Sequence, residues 1–114
     1  MSGCLFCKIV AREIPAQIVH ENEHVLAFRD INPGAPTHVL VVPKRHITGA
    51  HEATAEDAPL LGELMLAGRD VAEKLGLHET GYRLVVNNGA DAGQSVLHLH
   101  LHVLGGRPMA WPPG

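Results

Sequence analysis

The sequence predicts an α+β domain, in which an antiparallel five-stranded sheet carries one short and one long helix. Runs with a strand pattern outnumber helical ones and follow one another closely enough to form a meander. One segment between residues 54 and 76 has the apolar spacing of a long helix. The chain has 114 residues and neither an internal repeat nor a linker, so residues 1–114 are expected to form a single domain.

The first half of the chain supplies the short helix and three strands. The predicted elements are, in order, a helix from about Cys4 to Ala11 and strands over Ile18–His20, Val25–Arg29 and His38–Val42. Pro15 ends the helix because the residue before a proline avoids helical geometry. The third strand is an almost continuous apolar run, which is typical of a buried strand, and Pro43 stops it.

The second half begins with the long helix, which is marked at both ends. Thr54 and Asp57 have the spacing of a capping box, and Pro59 falls in the first turn, where proline is tolerated. Gly76 is a natural C-terminal stop. Two further strands are predicted on either side of a polar glycine loop, over Tyr82–Val86 and Val96–Leu104.

Composition excludes several classes of function. The net charge is −3 and no basic run exceeds the Lys44-Arg45 pair, so a nucleic-acid backbone binder is not expected. No segment approaches the roughly 18 apolar residues that span a bilayer, and the first residues do not resemble a signal peptide. Two cysteines three positions apart, without an export signal, suit a reducing compartment. We therefore expect a cytoplasmic protein without membrane contact.

The nine histidines of the chain are unevenly distributed, and three of them alternate with apolar residues from Leu97 to Leu104. On a strand this alternation directs the leucines into the core and places His98, His100 and His102 on the other face, about 6.6 Å apart. Histidine is suited to proton transfer, nucleophilic attack or metal binding. Three interpretations remain open at this point: a metal site, a nucleophile with assisting neighbours, and a solvated strand face.

The loop before these histidines favours phosphoryl chemistry. Gly89, Gly93, Gln94 and Ser95 offer backbone N–H groups, an amide and a hydroxyl, which are donors for phosphate oxygens. Glycine loops are common, so this signal is weak alone. Next to a row of histidines, the glycine loop indicates phosphoryl chemistry more specifically.

Residues His98–Leu104 match the His-φ-His-φ-His-φ-φ signature of the histidine-triad (HIT) superfamily, where φ is an apolar residue. The longer segment Gly93–Arg107 and the tail Trp111–Gly114 resemble the Hint branch, the purine nucleoside phosphoramidases. The likeness continues upstream in four segments: Asp30-Ile31, Ala35–His38, Val42–His46 and Tyr82–Asn87. The resemblance implies a HIT-like fold and hydrolysis of the P–N bond of purine nucleoside 5′-phosphoramidates, without a catalytic cofactor.

The resemblance also assigns catalytic roles. His100 corresponds to the nucleophile, which forms a nucleotidyl-histidine that water hydrolyses. Its other ring nitrogen then needs a fixed acceptor, for which a backbone carbonyl is suitable. His102 is implied to contact the phosphate and help the amine depart. His38 completes the set, either chemically or as a structural support.

A second group of residues is implied to bind a purine nucleotide of the AMP or GMP type. Asp30 would accept hydrogen bonds from the ribose hydroxyls, and an apolar slot would hold the base with a shallow purine preference. The residues assigned to nucleotide binding are Phe6, Ile9, Ile14, Phe28, Asp30, Ile31, Asn87, Gly93, Gln94, Ser95 and Leu101.

The pair Cys4-x-x-Cys7 is open to three interpretations: a redox motif, free cysteines, or half of a zinc site. Bacterial-type relatives with such a pair imply His46 and His98 as its partners. A closed Cys₂His₂ site of this kind is structural.

The family is homodimeric through the long helix and the fourth strand, and the resemblance implies that the tail of one chain reaches the active site of the other.

Two other functions stay open from the sequence. One is hydrolysis of dinucleoside polyphosphates, and the other is a nucleotide-binding interaction module with incidental hydrolysis. A metalloenzyme that uses the histidine row for catalytic zinc is a further alternative.

Overall fold

The computed structural model describes residues 3–114, in which five antiparallel strands form one sheet between a long and a short helix. The elements are α1 (Leu5–Val10), β1 (Ile18–Glu21), β2 (Val25–Arg29), β3 (Thr37–Pro43), α2 (Ala58–Lys74), β4 (Tyr82–Val85) and β5 (Leu101–Gly105). Two single-turn 3₁₀ helices, Ala50–Glu52 and Ala55–Asp57, precede α2. The predicted fold class is confirmed. In residues 3–114 no helix has the length and hydropathy to cross a membrane.

The strands are ordered β1-β2-β3-β5-β4. The first three follow one another as a meander, but β5 lies between β3 and β4 and is antiparallel to both. Strands β3 and β4 are therefore parallel to each other, and α2 connects them across a gap that β5 fills. A parallel pair needs such a crossover, whereas antiparallel neighbours can be joined by short turns.

Local sequence explains the 3₁₀ turn that leads into α2 and the C-terminal end of α2. The carboxylate of Asp57 accepts the backbone N–H of Thr54 at 2.9 Å, as the capping-box spacing predicts. Gly76 has φ of +75°, a left-handed conformation that ends helices at low cost when the residue is glycine. Gly68 lies where the helix crosses the sheet, and a Cβ there would come within 2.8 Å of Leu101.

Apolar side chains form one core on each face of the sheet. The α2 core contains Val25, Ala27, Val39, Val41, Ile47, Leu64, Ala67, Val71, Ala72, Leu77, Leu99, Leu101 and Val103. The α1 core contains Phe6, Ile9, Leu26, Phe28, Leu40 and Val42. Neighbouring residues of β2 and β3 alternate between these two sets, as the pleat of a strand requires. The short helix is thereby fixed over the face that carries His102.

The predicted last strand was wrong at its beginning, because β5 starts at Leu101 rather than Val96. Leu97, expected in the core, is 61% exposed. Strand β3 ends at Pro43, which has no N–H to donate, and the N–H of Leu99 instead bonds to the carbonyl of Ile47 at 2.6 Å. The segment 96–100 therefore leaves the sheet. Of the three signature histidines, only His102 lies on a strand.

Candidate active site

A cavity of about 280 Å³ lies between α1 and the face of β2 and β3 that carries the α1 core. Its wall is mostly apolar, and its polar end contains Asp30, Ser95, His100 and His102. Seven of the predicted nucleotide-binding residues line it: Phe6, Ile9, Ile14, Phe28, Asp30, Ile31 and Ser95. Residues that the sequence did not single out also line it, namely Leu5, Pro15, Ala16, Arg29, Asn32, Leu40 and Val96. Most of these adjoin a predicted residue in the chain.

His100 is almost completely buried, with 6% of its surface exposed. Its Nδ1 lies 2.7 Å from the carbonyl oxygen of His98. Because a carbonyl can only accept, Nδ1 carries a proton, and in the neutral form of the ring Nε2 keeps a free lone pair. The ring of Phe6 packs edge-on against His100 with 5.1 Å between centroids, which restricts the imidazole further. The lone pair of a neutral imidazole is thus held in place at the end of the cavity.

A chain of hydrogen bonds joins Gly34, His38 and His102. The backbone N–H of Gly34 donates to His38 Nδ1 at 2.9 Å, so this nitrogen has no proton. His38 therefore carries its proton on Nε2, which lies 2.8 Å from His102 Nδ1 and donates to it. His102 consequently holds its own proton on Nε2. That nitrogen is buried and has no hydrogen-bond partner among the described residues.

Burial keeps both of these histidines neutral. Burial, followed by the proximity of His100 and His38, lowers the pKa of His102 to about 4. Burial also lowers the pKa of His38, although Asp30, whose Oδ2 lies 3.5 Å from His38 Nε2, acts in the opposite direction. At neutral pH His102 is an uncharged hydrogen-bond donor.

Asp30 lies at the rim of the cavity with its side chain 20% exposed. Its Oδ1 accepts the N–H of Asn32 at 2.8 Å, which fixes the carboxylate just after β2. Ile31 follows on the rim and is 90% exposed. The cavity thus has an acceptor and an exposed apolar side chain side by side at its mouth.

Cys4, Cys7, His46 and His98 bring four ligand atoms within 4.8 Å of one another. His98 Nδ1 lies 3.3 Å from Cys4 Sγ, 3.5 Å from Cys7 Sγ and 3.1 Å from His46 Nδ1. Tetrahedral zinc requires about 3.3 Å between nitrogens and about 3.6 Å between sulfur and nitrogen. His98 Nε2 donates to the Pro43 carbonyl at 2.8 Å, which orients Nδ1 toward the cluster. The donor set and its spacing fit zinc.

Four of the predicted nucleotide-binding residues do not line the cavity: Asn87, Gly93, Gln94 and Leu101. The Leu101 side chain points to the α2 core and is only 3% exposed, so it does not face the cavity. The Gln94 amide braces the glycine loop instead, since its Oε1 accepts the N–H of Gly89 at 2.9 Å and its Nε2 donates to the Thr48 carbonyl at 2.8 Å. Gly93 lies in the same loop with φ of +85°.

Asn87 lines a second cavity, of about 720 Å³, between β4 and the C-terminal tail. Its wall includes Arg83, Val85, Leu104, Arg107 and Met109. Val85 and Leu40 are the strand partners of His102 on its two sides, so these three side chains share one face of the sheet. The two cavities therefore open on the same face, with His102 between them.

An antiparallel sheet with His100 and His102 at the polar end of an apolar cavity, and with His38 hydrogen-bonded to His102, is the arrangement of a histidine-triad domain. The profile of the HIT domain family matches residues 11–109, and the chain belongs to this family. The resemblance inferred from the signature is confirmed at this level, and the assignment to the Hint branch stays a prediction.

Relatives match this chain over nearly its whole length. An uncharacterised HIT-like protein of Synechocystis sp. is 56% identical over 110 residues, which cover 96% of each chain. A protein of Zea mays described as a 14 kDa zinc-binding protein is 50% identical over 115 residues, covering 99% of this chain and 89% of that protein. The crystal structure of a HIT family hydrolase from Legionella pneumophila has a TM-score of 0.96 and 51% identity, over 98% of this chain and 100% of that one.

Proposed function

We propose that this protein is a nucleoside phosphoramidase, which cleaves the P–N bond of purine nucleoside 5′-phosphoramidates through a nucleotidyl-histidine. The observation that carries the proposal is the pair of opposite tautomers in the cavity. His100 presents a lone pair on Nε2, whereas the neighbouring His102 presents a proton on Nε2. A nucleophile next to a donor for a phosphoryl oxygen is what attack on phosphorus requires. Relatives described as HIT family hydrolases support the reaction class.

In the first step the lone pair of His100 Nε2 forms a bond to the α-phosphorus and the P–N bond breaks. The amine leaves with the electron pair of that bond and takes a proton from solvent. The imidazole ring of His100 becomes positively charged, and the carbonyl of His98 stabilises this charge through the Nδ1 proton.

In the second step a water oxygen bonds to phosphorus and the bond between phosphorus and His100 Nε2 breaks. The electron pair returns to the imidazole, the proton of the water is released to solvent, and a nucleoside monophosphate remains. In both steps His102 donates its Nε2 proton as a hydrogen bond to a phosphoryl oxygen. A neutral imidazole can serve as such an electrophile without giving up its proton.

We infer that a nucleotide would bind in this cavity with its base in the apolar slot. Phe6, Ile9 and Phe28 offer contact area without hydrogen-bond donors, so the base is recognised by shape and purines are favoured weakly. Asp30, at the rim, would accept hydrogen bonds from the ribose hydroxyls. The second cavity would hold the leaving amine, and Asn87 in its wall would contact oxygens of the phosphate or of the leaving group.

We also propose that Cys4, Cys7, His46 and His98 hold a structural zinc ion. The zinc-binding description of the Zea mays relative supports this assignment. Four protein ligands would leave no open position, so zinc would supply cross-linking of α1 to the segment before β5 and no chemistry in the reaction.

A homodimer is the proposed assembly. Strand β4 is an edge of the sheet, and the neighbouring helix α2 exposes Leu61, Met65 and Leu66 at 37%, 54% and 49% of their surfaces. An open edge beside exposed apolar residues is a surface that proteins usually cover.

The function is tested by incubating the protein with adenosine 5′-phosphoramidate and trapping an adenylylated histidine by rapid acid-free denaturation and mass spectrometry. We expect AMP release and a label on His100, and no label in His100→Ala, which should still bind AMP. Asp30→Asn should raise KM more than it lowers kcat. Faster cleavage of diadenosine triphosphate would favour the dinucleoside polyphosphate alternative. AMP binding without turnover of either substrate would indicate an interaction module and overturn the proposal.

A further inference from the structure

Arg107 is connected to the hydrogen-bonded histidine pair through Gly34. One guanidinium nitrogen of Arg107, Nη2, donates to the carbonyl oxygen of Gly34 at 2.9 Å. The N–H of the same glycine donates to His38 Nδ1 at 2.9 Å, and His38 Nε2 contacts His102 Nδ1 at 2.8 Å. Three successive contacts thus lead from an exposed cation to the ring of His102, whose Nε2 has no hydrogen-bond partner in residues 3–114.

The conformation of the chain after β5 places Arg107 over this loop. Gly106 has φ of +95°, a backbone conformation that residues other than glycine rarely adopt. A Cβ at Gly106 would also come within 2.9 Å of Pro36. The backbone therefore turns closely over Pro36, and Arg107 reaches back to the loop that precedes β3. The second guanidinium nitrogen, Nη1, donates to the Pro108 carbonyl at 3.1 Å and so holds the side chain against its own segment.

Gly34 follows Pro33 in the turn-rich loop between β2 and β3, is exposed, and belongs to neither a helix nor a strand. The N–H that determines the tautomer of His38 is therefore supplied by a loop residue that strand pairing does not hold. A charged donor on the Gly34 carbonyl restrains that loop more strongly than a neutral one would.

We propose that Arg107 is a positioning residue for the reaction, because its hydrogen bond to Gly34 holds the N–H that fixes the tautomers of His38 and His102. Without that N–H, the His38 proton can occupy Nδ1, and His38 Nε2 then becomes an acceptor. His102 would respond by moving its proton to Nδ1, away from the cavity. The donor for the phosphoryl oxygen would be lost in those molecules. The mechanistic part of this inference rests on the proposed function, whereas the tautomers do not.

The tautomers are measured directly by ¹⁵N NMR of the histidine rings in the free protein. In the wild type we expect His38 and His102 to be neutral, with an unprotonated Nδ1 and a protonated Nε2 at pH 7. In Arg107→Gln we expect a mixture of tautomers for both rings, and in Arg107→Lys, which keeps a cationic donor, a return toward the wild-type pattern. Unchanged ring shifts in Arg107→Gln would overturn the inference, whether or not the protein cleaves phosphoramidates.

Turnover of adenosine 5′-phosphoramidate gives the second measurement. Loss of a preorganised donor costs about 10²–10³-fold in kcat, so a partial loss should lower kcat by about threefold to tenfold with KM changed less than about twofold. Arg12→Gln is the matched control, because Arg12 is an exposed arginine that donates to Glu21 of β1 and lines neither cavity. Equal losses in the two variants would show that removing any surface arginine lowers kcat, and would contradict the role of the Gly34 contact. Absence of turnover in the wild type would refute the proposed function and leave the NMR result to decide this inference.

Discussion

The backbone carbonyl of His98 accepts the Nδ1 proton of His100 at 2.7 Å, while the imidazole of His98 belongs to the cysteine–histidine cluster. One residue therefore connects the proposed zinc site with the orientation of the proposed nucleophile. Since His98 precedes β5 and is completely buried, strand pairing does not hold its carbonyl; the cluster, the Pro43 contact and the bond from the Leu99 N–H to the Ile47 carbonyl hold it instead. Stability and activity should respond together when the cluster is disturbed.

The first prediction removes the cluster. The double variant Cys4→Ser, Cys7→Ser should lose the roughly one zinc ion per chain expected in the wild type, and its melting temperature should fall. It should keep part of its activity, because the nucleophile and donor remain, with kcat/KM lower by about tenfold as the His98 peptide becomes less fixed. Metal analysis, thermal unfolding and turnover measure these effects. Full activity at unchanged stability would contradict the coupling, and wild-type protein free of metal would contradict the zinc assignment.

The second prediction concerns stability against pH. His102 has a pKa of about 4 in the folded protein and about 6.5 when unfolded, so between these values the unfolded state binds more protons. Stability should therefore fall as pH decreases from about 6.5 to 4, by up to about 3 kcal/mol from this group. His102→Gln removes the titrating group and should show a smaller loss across that window.

Chemical denaturation at several pH values between 7 and 4 measures the difference between wild type and His102→Gln. Groups that do not interact with His102 contribute equally to both proteins and cancel in that difference. The exposed His78→Gln provides the matched control, which should behave as the wild type. Equal pH dependence in all three proteins would show that the burial of His102 does not affect its charge.

Much of the fold could be predicted because the sequence patterns that indicate its helices and strands involve residues close together in the chain. Strand β2 has the predicted bounds, Val25–Arg29, and the capping pattern at Thr54 and the left-handed Gly76 mark the two ends of the long helix region. The beginning of β5 could not be predicted, since the bond of Leu99 to the carbonyl of Ile47 joins residues 52 positions apart. Alternation alone does not reveal that the neighbouring strand ends early.

The residues of the candidate site that could be predicted are those that belong to motifs of the histidine-triad family. Asp30 and Phe28 line the cavity as expected, whereas Leu101 belongs to the core because the pleat turns it toward α2. The tautomers of His38 and His102 depend on a backbone N–H, and no side-chain pattern in the sequence indicates which N–H will be within reach.

The third prediction tests the assembly. Met65→Glu should convert a homodimer into a monomer, because a charge on the exposed apolar face of α2 would be buried against its copy. Size-exclusion chromatography with light scattering measures the mass. Ile18→Glu is the matched control, since Ile18 is an exposed apolar residue on β1, the opposite edge of the sheet. A monomeric wild type, or dissociation only in Ile18→Glu, would contradict the proposed interface.

The last prediction separates two roles for His102. As a donor that is neutral near pH 7 because its pKa is lowered to about 4, it can be replaced in part by the amide N–H of glutamine. His102→Gln should therefore lose less activity than His102→Ala, for which we expect about 10²–10³-fold from removal of a donor to the phosphoryl oxygen. The kcat/KM profiles of wild type and His102→Gln should have the same shape from pH 5 to 8. If His102 were instead a general acid, His102→Gln and His102→Ala would be equally inactive, because neither glutamine nor alanine can transfer a proton. The rate of the wild type would then fall on the alkaline side of the pH profile, and neither variant would show that fall. Profiles of that second kind would assign His102 to proton transfer and overturn the neutral-donor mechanism.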